Sequence, residues 1–244
     1  MIDMLTLARK VVRFTAYCIH HPKDGFNRLK MLNSIAMNID NIEDIERMKN
    51  ALINRDIHNV FDEVFAKGEY LKLYEAIKPN TILLDLGANV GDTAIYFALN
   101  NNIIKIISYE SSPEAFQRLL KNIKIYKKIE PHNNAVMPKD GFVINKYDIP
   151  KSWNTVRKAR KGIKAITLAS ILSKYKGHGI AIKCDIEGSE KDLFKTDLSD
   201  IYAIEVEYHK GCYESVRHDL EKRGFKIENF KTTKGRGLIF AFRR

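Results

Sequence analysis

Residues 81–99 read TILLDLGANVGDTAIYFAL, and the order of residue types in that stretch decides the fold. Ile82, Leu83 and Leu84 form an apolar run without alternation, the pattern of a strand covered on both faces, and the run ends on Asp85. Gly87, Asn89 and Gly91 follow, residue types that accept the backbone angles of a tight turn. Asp92 and Thr93 then open a segment whose apolar residues recur at helical spacing. Buried strand, tight turn and helix in this order form one unit of a parallel α/β sheet. Small residues and unpaired N–H groups at the helix start let a small ligand approach the backbone closely.

The next apolar run, IIKIISYE at 103–110, also ends on an acid, Glu110. About twenty residues past such a turn, a carboxylate can accept both ribose hydroxyl hydrogens of a nucleoside. The turn itself is DxGxNxG rather than GxGxxG, so an aspartate opens it where a dinucleotide fold packs glycine against pyrophosphate. That exchange suits a ligand with an amino group and no phosphates, and S-adenosylmethionine carries both the amine and the ribose. The candidate cofactor-binding residues are Asp85, Gly87, Ala88, Asn89, Gly91, Asp92, Thr93, Glu110 and Ser111, with Asp185 reaching in from a later strand.

Outward from this unit, β and α patterns alternate. Pro113 starts a helix, a strand spans 129–137, and 141–147 and 163–168 form a strand pair flanking the basic loop 151–164. A helix follows at 168–175, a strand at 180–186 and a helix from Ser189 to Lys195. Then come a strand at 201–208, a helix at 213–223 and a closing pair at 225–230 and 237–242. The expected architecture is α/β, a doubly wound, seven-stranded, mostly parallel sheet with an antiparallel last strand. Residues 1–78 read as an N-terminal helical region packed on the core, with helices over 25–37, 41–53 and 55–66, and residues 79–244 as the ligand-binding domain. The first helix is expected to pack on the core or on a twin subunit, giving a homodimer through the N-terminal helices; its basic residues also suit peripheral contact with an anionic membrane.

Strand 180–186 carries an anomaly, Lys183-Cys184-Asp185-Ile186-Glu187-Gly188-Ser189-Glu190. A two-residue period places Lys183, Asp185 and Glu187 on one side, and three charges on a covered strand are costly unless they pair or serve a site. Strand 201–208 repeats the pattern with Glu205, Glu207 and His209. In open α/β sheets, ligands lie beyond the carboxyl ends of the strands, where these residues fall. The candidate catalytic residues are Lys183, Asp185, Glu187 and His209, with His209 or Asp185 the general base for a hydroxyl. A divalent cation held by Asp185, Glu187, Glu207 and His209 is the less favoured alternative, since no metal spacing such as HExxH is present.

The chain has 41 basic against 30 acidic residues, a net charge of +11, which suits an anionic partner or a solvated lysine-rich surface. The basic run Arg157-Lys158-Ala159-Arg160-Lys161, with Trp153 and Asn154 before it, lies beside the expected site. Trp153, Asn154, Arg157 and Glu207 are therefore the candidate substrate-binding residues, for a small-molecule or glycan acceptor that carries anionic groups. Cys18, Cys184 and Cys212 are too few and too scattered for a disulfide framework, which points to the cytoplasm. Residues 1–20 are interrupted by Asp3, Arg9, Lys10 and Arg13, so neither a membrane span nor a signal peptide is expected.

Taken together, Asp85-Leu86-Gly87-Ala88-Asn89-Val90-Gly91, Tyr109-Glu110 with Pro113, Asn134-Ala135-Val136, Thr167-Leu168 and the Lys183–Glu190 element resemble the FkbM-type methyltransferases. The resemblance spans about Tyr70 to Glu207, with KxDxEGxE its most specific part. It implies a class I S-adenosylmethionine-dependent fold and O-methylation of a sugar or polyketide-type hydroxyl. It further implies that Asp85, Gly87, Asn89 and Gly91 wrap the methionine part, that Glu110 takes the ribose and Asn134 the adenine side, and that Lys183, Asp185 and Glu187 border the acceptor. The chain departs from the pattern at Thr167-Leu168-Ala169-Ser170, where an acid commonly follows the leucine. Two other readings stand beside O-methylation: an RNA methyltransferase gripping nucleic acid through loop 151–164, and a non-catalytic ligand-binding protein of the same fold.

Overall fold

The computed structural model describes residue 64 and residues 69–145, 156–233 and 235–243. Apart from Val64, the N-terminal helices expected before residue 67, the dimer contact assigned to them and the candidate residues Trp153 and Asn154 lie outside the described residues.

The described chain begins with a short helix, α1 (Leu71–Ala76), and enters β1 (Thr81–Leu86) through Asn80, whose φ of 62° is left-handed. All six residues of β1 are buried, because it is central in the sheet and covered on both faces. The glycine turn leads to α2 (Asp92–Ala98) and then β2 (Ile103–Tyr109). Helix α3 (Pro113–Asn122) has proline in its first turn, and the Ser112 side chain accepts a hydrogen bond from the Ala115 N–H, a cap worth about 1 kcal/mol. After β3 (Ile129–His132) come β4 (Ala135–Val136), β5 (Gly141–Asn145), β6 (Val156–Ala159) and β7 (Ile163–Ile166). Helix α4 (Leu168–Leu172), capped by Thr167, precedes β8 (Ile180–Cys184) and β9 (Ile201–Tyr208). Helix α5 (Tyr213–Lys222), β10 (Lys226–Thr233) and β11 (Arg236–Phe242) complete the order.

The main sheet has seven strands in the order β10-β11-β9-β8-β1-β2-β3. Strands β9, β8, β1, β2 and β3 run parallel, while β11 is antiparallel to both β9 and β10. Strict alternation splits its apolar residues into two cores. Leu83, Ile106, Ala181 and Ala203 face α1, α2 and α3; Leu84, Ile107, Ile182 and Ile204 face α4 and α5. A second sheet, β4-β7-β5-β6, stands apart with its own small core of Ala135, Val143 and Ala165.

Three details differ from the sequence reading. The strand expected over 129–137 divides at Asn133–Asn134, with β3 joining the main sheet and β4 the small one. The basic loop contains a strand, β6, because the alternating run from Val156 pairs antiparallel with β5. The helix expected from Ser189 to Lys195 is absent; this segment is a series of turns, with Asp192 in the left-handed region at φ 66°.

Candidate functional site

The glycine turn hangs from the end of β2, with the N–H groups of Gly87 and Ala88 both donating to the Tyr109 carbonyl at 2.9 Å. Gly87 has φ +82°, and a Cβ there would lie 1.7 Å from the Asp185 carbonyl oxygen, so only glycine lets β1 and β8 close at this point. Asn89 takes φ 48° and donates its N–H to Glu110 Oε2 at 2.8 Å, while the Ser112 N–H reaches Glu110 Oε1 at 2.6 Å. Glu110 therefore ties the turn to the loop after β2. Its carboxylate has four lone-pair sites and spends two of them on these N–H groups. Burial raises its pKa, opposed by the two backbone donors. Asn133, which the sequence reading passed over, donates to the carbonyls of Glu110 at 2.8 Å and Ser111 at 3.3 Å and so holds this loop. Asn134 instead turns its amide to the Lys164 carbonyl at 3.2 Å.

A polar row crosses the sheet beneath the turn. Register places Glu205 opposite Lys183, Lys183 opposite Asp85, and Asp85 opposite Ser108, and all four are buried. Lys183 Nζ donates to the Gly87 carbonyl at 2.6 Å and lies 3.3 Å from Asp85 Oδ1, beneath the ring of Tyr70. The expectation that Lys183 borders the acceptor thus meets a different placement: its ammonium is under the glycine turn, gripping that turn from inside the sheet. Burial would lower its pKa, but Asp85, Asp185 and Asp92 outweigh that and hold it protonated. Thr93 is buried on α2. Asp92, also buried there, has no hydrogen-bond partner for either carboxylate oxygen, and burial pushes its pKa up to about 7.

At the open edge, β8 ends on Cys184, and the alternation expected to continue through Glu187 breaks: Glu187 has φ 53° and Gly188 φ 97°. Asp185 has one buried oxygen without a hydrogen-bond partner, and its pKa is raised, first by burial and then by Glu207 and Glu187, against Lys183. His209, just past β9, lies with Nδ1 2.9 Å from Glu190 Oε1 and Nε2 3.1 Å from Glu187 Oε2. Burial lowers its pKa, but the two glutamates win and push it up to about 10. An imidazolium has no lone pair to receive a proton, which sets this geometry against the general-base reading of His209. Glu207 is held by Arg236 from β11, with Nε 2.7 Å from Oε1, a partner the strand pattern could not supply. Among the described residues the compact set of metal-capable side chains is Asp185, Glu190 and His209, one donor atom of each within 4.8 Å of the others, and not the four residues expected. His209 Nδ1 is in hydrogen-bond contact with Glu190, and Nε2 lies at ion-pair distance from Glu187, so glutamates stand on both sides of the ring.

The expected catalytic residues therefore separate into two layers, Lys183 beneath the turn and Asp185, Glu187 and His209 at the edge. The basic residues Lys158, Arg160, Lys161 and Lys164 are exposed on the small sheet and its β6–β7 turn, and Arg157 falls on β6. Cys184 and Cys212 are free and buried.

The FkbM methyltransferase domain pattern matches residues 85–227, more than half of the chain. The chain belongs to the FkbM methyltransferase family. The protein is accordingly a methyltransferase of class I architecture, whose methyl donor is S-adenosylmethionine. No curated protein sequence matches the chain significantly. Its structural likenesses are distant. Methyltransferase FkbM from Methylobacillus flagellatus KT has 12% identity and a TM-score of 0.46, over 88% of this chain and 58% of that one. Fibrillarin from Aeropyrum pernix, with natively bound S-adenosyl-L-methionine, has 14% identity and a TM-score of 0.45, over 68% and 67%. TrmK from M. capricolum, with S-adenosyl-homocysteine, has 11% identity and a TM-score of 0.45, over 70% and 66%. Among the described residues, no helix is long and apolar enough to cross a membrane.

Proposed function

We propose that this FkbM methyltransferase methylates a hydroxyl of a glycan, a glycolipid or a related small molecule. The observation that carries the reading is the pair of carboxylates, Asp185 and Glu187, at the open end of β8 beside the glycine turn. A hydroxyl loses its proton as it is methylated, and a carboxylate within hydrogen-bond reach is the group to receive it.

The residues present fit the cofactor. Around the turn, Asp85, Asp92, Asp185, Glu110 and Glu205 are carboxyl groups, and Lys183 is the cation set among them. Asp92 and Asp185 keep buried oxygens without hydrogen-bond partners, as a cationic ligand requires. The Asp85–Gly91 turn would hold the amino-acid part and the free lone pairs of Glu110 the ribose. When bound, S-adenosylmethionine supplies an electrophilic methyl group on a sulfonium. The chain's own work is to place the acceptor oxygen, exclude water and take the proton on Asp185 or Glu187. His209, as an imidazolium, orients the second of these.

Transfer of radiolabelled methyl from S-adenosylmethionine to fractionated lysate tests the reading: label in a glycan or lipid fraction, stable to mild base as an ether is, supports it. Label in RNA favours the second reading, which rests on exposed Lys158, Arg160, Lys161 and Lys164. In that case RNA affinity falls steeply with salt, because Lys and Arg release counterions from phosphates. Binding of cofactor with no transfer to any fraction points to the non-catalytic reading.

A further inference from the structure

Glu190 carries none of the roles read from the sequence, yet it is the most enclosed acid at the open edge, with no exposed surface. Its Oε1 accepts the Gly188 N–H at 3.1 Å and faces His209 Nδ1 at 2.9 Å; its Oε2 has no hydrogen-bond partner. A carboxylate this deep is retained only where a charge compensates it, and His209 is the cation in contact. The opposite nitrogen of His209 lies 3.1 Å from Glu187 Oε2. Three side chains thus form one line, Glu190–His209–Glu187, running from the interior to the edge. At its outer end Glu187 occupies left-handed backbone, φ 53°, where glycine would be cheaper. The strain turns its side chain back toward β9, where His209 receives it.

We propose that Glu190 is a positioning residue, acting through His209 to fix the Glu187 carboxylate toward the acceptor. This rests on the methyltransferase reading for the role of Glu187, while the line of contacts stands by itself. A buried acid orienting an imidazole through Nδ1 leaves Nε2 aimed in one direction. Here Glu187 Oε2 lies 3.1 Å from Nε2 as an ion pair rather than an aligned hydrogen bond, so His209 acts on it as a fixed neighbouring charge. The charged groups facing His209 are Glu187 and Glu190 in direct contact, with Asp185 behind them. The Cys212 thiol closes the far side, its Sγ 3.8 Å from the Gly188 carbonyl.

The experiment combines Glu190→Gln with histidine ring NMR and steady-state transfer. Glutamine keeps the shape and one acceptor oxygen but removes the charge that holds the His209 proton. In the wild type the His209 ring stays protonated through pH 8; in Glu190→Gln it titrates within the range 6 to 8. Cofactor affinity stays within about twofold, while kcat falls about tenfold or more at pH 8 and recovers toward pH 6, where the ring is charged again. A purely structural role would lower activity equally at both pH values, and that result overturns the proposal. So does a wild-type His209 that titrates near its ordinary value. If Glu190→Gln does not fold, Glu187→Gln reads the same line from its outer end, and an unchanged ring titration there overturns it too. If the wild type transfers no methyl at all, the functional reading fails while the NMR arm still decides the line of contacts.

Discussion

Asp92→Asn isolates the most unusual electrostatic feature of the turn. The carboxylate is buried at the start of α2 with neither oxygen hydrogen-bonded, and burial raises its pKa from 3.8 to about 7. The folded protein therefore holds a proton between those values that the unfolded chain has lost. By linkage, stability from this group is fully present below 3.8 and is lost as pH rises, the loss being complete above about 7. One proton is worth about 1.4 kcal/mol per pH unit, so the interval of roughly three units corresponds to about 4 kcal/mol. Asparagine fills the same volume and does not titrate. The assay is urea unfolding of the cofactor-free protein at four pH values between about 4.5 and 7.5, for wild type and variant. The expected result is a stability difference that shifts in favour of the variant by about 1.4 kcal/mol per pH unit. Asp185, Glu110 and His209 also titrate, but they are common to both proteins and leave the difference largely unchanged. Parallel stability curves for the two proteins would refute the reasoning, because they would mean that Asp92 ionises in the folded state as it does in the unfolded one.

Lys183→Met leaves Asp85 buried without its cation and should destabilise by about 3–5 kcal/mol, with part of that recovered in Asp85→Asn/Lys183→Met; a double-mutant cycle by denaturant unfolding measures the coupling. Gly87→Ala and Gly177→Ala both put alanine in left-handed backbone, but only the first places a methyl group on the Asp185 carbonyl, so it should lower the melting temperature further than Gly177→Ala, where a Cβ meets nothing within 4 Å.

The fold was legible because its signals are local. The unbroken apolar run before Asp85 and the turn residues behind it need no distant partner to be read, and the same holds for 201–208, whose limits the structure keeps. Position along a strand was legible too: Asp85, Lys183 and Glu205 fall in one cross-sheet row, as a period of two requires. What the sequence hid depends on where the period stops. Extending alternation past Cys184 placed Glu187 in line with Lys183, whereas its left-handed backbone swings it to His209. Glu190 stood in the quoted element, three residues beyond Glu187, but only folding shows that it is buried against an imidazole from another strand. Arg236 was out of reach for a similar reason, since its tie to Glu207 forms only when β11 inserts antiparallel beside β9. Nor did the strand pattern reveal the two glutamates around His209, which push its pKa up to about 10 and oppose the base role read for it.

We propose that the turn at 85–91, closed by Glu110, is the cofactor cradle. Calorimetry with S-adenosylmethionine on the wild type and on Glu110→Ala tests it most directly, with thermal unfolding to confirm that both are folded. The account predicts one binding site in the wild type and a loss of affinity of about tenfold or more, near 1.4 kcal/mol, in the variant. Equal affinity in the two proteins, or no binding to the wild type, would contradict it.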